Sequence, residues 1–234
     1  MRSTDFTSTA LPEGVKTAAR SVLQLKATDQ IGSPAVTVGK CLILTAYHVL
    51  ASLKYARPKL AIFNGNNVAA TVRDVYALDV GDGSKGWYPK IQHDAHRVDR
   101  LSWPTTLDFT ACRLAPNVDD ACATDRHGFV QASARLHHAL DPIGAGVDPN
   151  PVFMITYAQK SALKSWSSGL IHQVGTTSFV HSCYGSEPGD SGAPIFDIDG
   201  RLVGVHVANT KGGAAIACRA DAIMNALQDI IAGT

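Results

Sequence analysis

Long apolar runs are missing from this chain of 234 residues: it has no stretch of 18 consecutive apolar residues, and residues 1–14 are polar with no apolar signal core. The sequence therefore predicts neither a membrane-spanning helix nor a signal peptide, but a soluble chain. An excess of either charge is missing too. With 21 Lys+Arg against 20 Asp+Glu, the formal charge is +1. This leaves no basic footprint of the kind phosphate neutralisation requires, and argues against a nucleic-acid partner. Cysteine is scarce and odd in number: Cys41, Cys112, Cys122, Cys183 and Cys218 include no C-x-x-C pair. Free, reduced thiols of an intracellular protein fit this better than a disulfide scaffold, with a secreted protein that has lost its signal as the alternative. Glutamate is almost absent, since Glu13 and Glu187 leave 18 of the 20 acidic positions to aspartate.

What is present is a chain 45% hydrophobic, enough for one barrel-type domain or two small ones. Residues 1–20 are rich in Thr, Ser and Ala without a clear period and read as an unstructured leader arm. Strand signals follow at 21–27, 36–47 (broken at Gly39), 59–63, 67–78 and 108–114. The Gly- and Pro-rich, charged stretch 79–104 reads as a surface insertion, and 115–125 as a crossover. A second block carries strand signals at 128–136, 152–157, 169–175, 177–184, 193–197, 201–207 and 214–218, with a turn at Asp197-Ile-Asp-Gly200. Ile223, Leu227, Ile230 and Ile231 recur at helical spacing, so 221–234 closes the chain with an amphipathic helix. The expected units are thus 1–20, 21–125, 126–220 and 221–234.

Three segments carry chemistry. In Gly189-Asp-Ser-Gly-Ala-Pro194, glycines flank a serine and permit a tight turn that gathers backbone N–H groups. A serine hydroxyl needs a base to become a nucleophile, and its tetrahedral intermediate needs donors for the oxyanion. On that reading Ser191 attacks and the N–H groups of Gly189 and Ser191 form the oxyanion hole. Alone, this tetrad is also what an ordinary Gly/Ser loop looks like. An apolar strand, Leu42-Ile-Leu-Thr-Ala-Tyr-His48, runs into a histidine. In Leu107-Asp-Phe-Thr-Ala-Cys-Arg-Leu114, an aspartate opens an apolar strand and is costly to bury without a partner. A buried acid that accepts an imidazole N–H fixes its tautomer and stabilises the imidazolium. Asp94, Asp99 and Asp120 are rival acids with no apolar strand behind them.

These motifs, in the order His, Asp, Ser, resemble the chymotrypsin-like serine protease family through Thr45-Ala-Tyr-His48, Asp108-Phe-Thr-Ala-Cys-Arg-Leu114 and Gly189-Asp-Ser-Gly192. The resemblance implies an all-β fold of two six-stranded antiparallel barrels plus the C-terminal helix. His48 and Asp108 would come from the first barrel and Ser191 from the second. The family's digestive members pair the acid before the nucleophile with a liberated Ile-Val-Gly-Gly-like N-terminus. No such segment precedes the first strand here, which leaves Asp190 with another partner or none.

The chain is more similar to the viral polyprotein-processing branch (sobemovirus-like and 3C-like) or to glutamyl endopeptidases. In those groups a hydroxyl residue five before the nucleophile and a histidine about 15 after it line S1. Ser186 and His206 hold these places, so the resemblance implies a P1 Glu or Gln, with Val207, Ala208 and Asn209 as the substrate-binding edge. Both groups can donate to a carboxylate or amide oxygen, while Gly185 supplies no carboxylate floor for Lys or Arg. A hydrogen-bonded core histidine is the competing reading of His206. The implied work is processing of a viral polyprotein in the host cytoplasm; a secreted glutamyl endopeptidase is the alternative. The shortage of glutamate suits a Glu-directed protease, and Glu13-Gly14 is a candidate self-processing site.

A peptide-binding pseudo-protease is disfavoured because all three triad residues are present. An esterase elbow is disfavoured because the acid precedes the serine. His93, His96, His127, His137 and His138 lack zinc-site spacing, so no metal and no cofactor is expected. Whether Cys183 and Cys218, both expected near the S1 wall, pair with one another is left open by the sequence.

Overall fold

The computed structural model describes residues 2–26, 32–39, 42–52, 61–64, 67–78, 85–87, 108–114, 151–157, 163–183, 189–209 and 214–232. Two β-barrels account for most of them. The first is built from β1 (Val22–Lys26), β2 (Ser33–Gly39), β3 (Leu42–Thr45), β4 (Ala61–Asn64), β5 (Asn67–Leu78) and β7 (Thr110–Leu114). Its strands pair in the order β4-β1-β2-β3-β7-β5, and pairing of β5 back onto β4 closes the ring. The short strand β6 (Lys85–Trp87) adds to β5 as a hairpin, inside the stretch expected as an insertion.

The second barrel is closed in the order β10-β13-β12-β11-β8-β9. Its strands are β8 (Pro151–Tyr157), β9 (Lys164–Val174), β10 (Ser178–His181), β11 (Pro194–Phe196), β12 (Leu202–Asn209) and β13 (Ala215–Arg219). The turn at Asp197–Gly200 joins β11 to β12, with Gly200 N–H donating to Asp197 O at 3.0 Å. The expected pair of six-stranded barrels is therefore present. The strand signal at 128–136, the crossover at 115–125 and most of the 79–104 insertion lie outside the described residues.

Antiparallel strands with one wet face alternate in polarity; several here do not, and the contacts explain why. In β1 and β2 the residues from Val22 to Leu25 and from Ser33 to Thr37 are buried on both faces. One face fills the first barrel while the other meets β8 of the second, where the Tyr157 hydroxyl donates to Val22 O at 3.1 Å. In β12, Leu202 to Val207 are all buried because the final helix packs on the outer face. That helix runs Ala220–Ala232 and turns Ile223 and Leu227 inward, as the spacing predicts.

Two expectations need revision. The leader is not unstructured. Residues Glu13–Ala18 form helix α1, a 3-10 turn follows at Ala19–Ser21, and Leu11, Val15, Ala18 and Ala19 are buried. These apolar residues are too few to show a period in sequence, yet enough to seat the segment. Glu13-Gly14, proposed as a cleavage site in a loose arm, therefore opens a helix. Gly14 packs against the backbone of Asp199 and Gly200, where a Cβ on either glycine would collide with the other's chain. The run 36–47 breaks at Gly39 as expected, into β2 and β3 paired antiparallel, while His48 sits not at a strand end but on the short helix α2 (Tyr47–Ser52). Cys183 and Cys218 are free, buried thiols, in keeping with the odd, sparse cysteine count.

Candidate active site

Antiparallel pairing of β3 with β7 puts Thr45 opposite Thr110, so the residues leading to His48 and those following Asp108 lie side by side. From there the Asp108 carboxylate makes a two-point contact. Its Oδ2 lies 2.7 Å from His48 Nδ1, and its Oδ1 accepts the His48 backbone N–H at 3.1 Å. With the acid on Nδ1, the imidazole carries its proton there, and Nε2 is left as the basic lone pair. Asp108 is 15% exposed and His48 29%, so the acid is the more sheltered of the two. Behind it, the Asp108 N–H donates to Cys218 Sγ of the second barrel at 3.3 Å.

Ser191 lies in the turn before β11. Gly189 (φ 107°) and Gly192 (φ 92°) occupy the left-handed region that side chains disfavour, which explains why glycines flank this serine. Gly192 also has no room for a Cβ, which would strike Thr45 Oγ1 and Pro34 O of the first barrel. This close approach sets the Ser191 turn against the segment that enters α2 and His48. In the same turn Gly192 N–H donates to His206 O (2.8 Å) and Ala193 N–H to Asp190 O (2.9 Å). Among the described residues, the N–H groups of Gly189 and Ser191 have no acceptor. The Ser191 hydroxyl donates to Val207 O at 3.4 Å, a long bond of the kind that realigns once substrate is bound.

Strand β12 runs past its ladder with β11, which ends at Pro194↔Val205, while its other edge stays paired with β13 as far as Asn209. Val207, Ala208 and Asn209 thus extend along one side of the Ser191 turn. His206 is buried (2% exposed) between these elements. Its Nδ1 lies 3.2 Å from Nε2 of His181, a residue that sequence inspection passed over. The Cys183 N–H donates to His181 Nδ1 at 3.3 Å. This order of donors assigns the tautomers: His181 carries its proton on Nε2 and gives it to His206 Nδ1, so His206 carries its own on Nε2. Burial, reinforced by the charges of His48 and Arg2, pushes the His206 pKa down to about 3. Burial and His206 likewise hold His181 well below the usual histidine value. Both rings are neutral at physiological pH.

Asp190, for which the sequence offered no partner, is buried and held at both oxygens. The Thr156 hydroxyl of β8 donates to Oδ1 at 2.7 Å, and the Arg2 guanidinium pairs with Oδ2. Neither partner was foreseen, since 34 and 188 positions separate them from Asp190. A buried aspartate with no nearby cation in sequence was the signal that one had to come from far away. Ser186, His93, His96, His127, His137, His138, Asp94, Asp99 and Asp120 lie outside the described residues.

A two-barrel fold with a carboxylate–imidazole pair on one barrel and a glycine-flanked serine turn on the other defines a class of hydrolase. The chain belongs to the trypsin-like peptidase family, whose domain it matches over residues 32–205, and is a chymotrypsin-like serine endopeptidase. Similar solved structures include a Glu endopeptidase (14% identity, TM-score 0.64, covering 99% of this chain and 96% of that one). They also include the Rv3671c protease of M. tuberculosis in an inactive form (13% identity, TM-score 0.61, 94% and 91%). A scabies mite inactivated protease paralogue has the same fold (13% identity, TM-score 0.62, 93% and 96%). No curated protein sequence matches the chain.

Proposed function

We propose that Ser191 is the nucleophile, His48 the general base and Asp108 the residue that orients it, with the N–H groups of Gly189 and Ser191 as the oxyanion hole. The observation that carries this reading is the 2.7 Å contact of Asp108 Oδ2 with His48 Nδ1. It leaves Nε2 free to take the Ser191 proton as Oγ attacks the scissile carbonyl. The same proton then goes to the leaving amine, and water repeats the cycle on the acyl-enzyme. Two unspent N–H groups in one turn suit the developing oxyanion.

The substrate is a peptide cleaved after Glu or Gln, bound along Val207, Ala208 and Asn209 by strand addition. Ser186 and His206 recognise the P1 side chain. The His181–His206 bond supports this part, because it leaves a neutral His206 with its Nε2–H as donor for a carboxylate or amide oxygen. The natural substrate is a viral polyprotein in the host cytoplasm, a role supported by the motif resemblance. A secreted glutamyl endopeptidase is the second reading, favoured by the Glu endopeptidase among the similar folds.

A peptide library displayed to wild type, Ser191→Ala and His48→Ala tests both levels. The expected result is cleavage after Glu or Gln by wild type alone. Equal slow cleavage by all three overturns the triad, and cleavage after other residues overturns the P1 assignment.

A further inference from the structure

At rest the Ser191 hydroxyl is bonded to the strand edge on which substrate is laid. It donates to Val207 O at 3.4 Å. Among the described residues it makes no bond to His48, whose ring is held through Nδ1 by Asp108. Two features of β12 put the Val207 carbonyl there. The register of β12 against β13 jumps from His206↔Ala217 to Ala208↔Ile216, so Val207 is the extra residue of a β-bulge. A bulge bends its strand locally and re-aims the groups of the extra residue. The Val207 side chain is buried, which fixes the residue from its other side. The strand is also laced to the serine turn. Gly192 N–H donates to His206 O and His206 N–H to Ala193 O, both at 2.8 Å. The two backbones are thereby held in register, and the hydroxyl is the part that can turn.

We propose that the Val207 carbonyl restricts Ser191 to acyl donors that carry an N–H on the P1 residue: this N–H takes the carbonyl from the Ser191 hydroxyl and releases the hydroxyl to His48 Nε2. This rests on Ser191 as nucleophile and on strand addition along Val207, Ala208 and Asn209, both proposed above. An extended substrate laid on that edge brings its N–H groups to the edge's carbonyls, as any added strand does. The hydroxyl is the weaker competitor. At 3.4 Å its bond is close to the limit of a hydrogen bond, whereas a ladder N–H···O closes to about 2.9 Å. An oxygen that has accepted the better donor offers less to a second one, and the released hydroxyl finds its next acceptor in the basic lone pair of His48. A simple ester or sulfonyl fluoride brings no such N–H. It meets a nucleophile that is mostly turned away from its base. Ser191 is therefore armed by the backbone of a peptide, and P1 side-chain recognition adds to this without being required for it.

The test uses the full-length wild-type chain and methanesulfonyl fluoride. Ser191 Oγ attacks the sulfur of this reagent, the S–F bond breaks, fluoride leaves and the hydroxyl proton passes to His48. The protein is saturated with a peptide ending in the P1 residue that the library selects, stripped of its carbonyl (4-aminobutanamide where that residue is Gln). This ligand keeps the P1 N–H and side chain but leaves Oγ and the oxyanion hole open, and complete inhibition of peptide cleavage shows saturation. Sulfonylation should then run about 10-fold faster than in the free protein, the scale of one net hydrogen bond. The same ligand with CH2 in place of that N–H should give no acceleration. In a substrate, oxygen in place of the P1 N–H should lower kcat by about 10-fold rather than only raise KM. Equal sulfonylation with the two ligands, or no acceleration by the first, overturns the proposal. If the CH2 ligand does not bind, the oxygen-substituted substrate decides, and an unchanged kcat overturns the proposal. Failure of the N–H ligand to inhibit cleavage overturns it as well, because strand addition is then absent. Ser191→Ala separates the levels: if it is sulfonylated like wild type, the nucleophile assignment itself has failed, whatever Val207 does.

Discussion

The backbone N–H of Asp108 donates to Cys218 Sγ, so the acid that holds His48 in one barrel is anchored by a thiol of the other. Burial, with the Asp108 charge, raises that thiol to about 12. It therefore stays protonated and acts as a soft acceptor rather than a nucleophile.

Replacing Cys218 with valine leaves the Asp108 N–H without this acceptor and should cost about 1–3 kcal/mol. We expect a lower Tm by calorimetry and a lower kcat, because the carboxylate that orients His48 loses its rear support. Cys218→Ser keeps an oxygen acceptor and should recover part of both. Equal Tm and kcat in all three proteins would show that the contact is incidental.

Asp108→Asn should lower kcat/KM by about 10⁴-fold, since an amide can offer its N–H to His48 Nδ1 and so favours the wrong tautomer. The loss should fall on kcat. Adding His48→Ala should lower it little further, because residues that act as one unit are not additive. Steady-state kinetics on a cleaved peptide provides the comparison.

Gly192 answers to two constraints, a φ of 92° and backbone and side-chain atoms of Pro34 and Thr45 where a Cβ would stand. Gly192→Ala should destabilise by about 1–3 kcal/mol from the backbone conformation alone. Because the collision pushes the second barrel off the first, activity should fall at temperatures where the protein is still folded. Urea unfolding and peptide cleavage, measured side by side, check both parts.

The neutral histidine pair makes stability depend on pH. In the folded protein His206 binds its proton only near about 3. Unfolded, it does so near 6.5. Below about 6.5 the unfolded state therefore binds more protons. Stability is complete above that pH and is lost as pH falls toward 3, by about 1.4 kcal/mol per unit from His206 alone. His181 shifts in the same direction and adds to the slope. His206→Gln should flatten the dependence between pH 6 and 4 in urea unfolding series, by about that amount per unit. An unchanged slope would mean that the ring is protonated in the folded state.

The parts of this protein legible in sequence were those whose physics is local. Strand β5 spans the residues its pattern marks, and Ile223 and Leu227 of the last helix pack as their spacing requires. His48 and Asp108, which the structure brings into contact, each sit in a short motif with its own signature, and so does Ser191. What stayed hidden depends on pairings between distant segments. His181 acquires meaning only when β10, β13 and β12 lie side by side and bring it to His206. Thr156 is an ordinary strand threonine until the Asp190 carboxylate arrives beside it. Arg2 lay in a stretch with no period, so nothing in its surroundings marked it as the cation a buried aspartate required. The leader looked loose because four buried apolar residues spread over nine positions make no pattern that a helix or strand template detects.

Gly14 and Gly200 meet with backbone directly against backbone, each filling the space the other's Cβ would need. Most tight packing can be relieved by trimming a side chain across the contact, so a substitution on one side leaves room for a second to rescue it. Here neither residue has anything to trim. Any larger residue at one position is uncompensated by every choice at the other, and the seating of the segment that delivers Arg2 is confined to a single solution. Variants recovered from selection for activity should show these two positions unchanged together, while Ile198 in the same turn, 55% exposed, drifts freely.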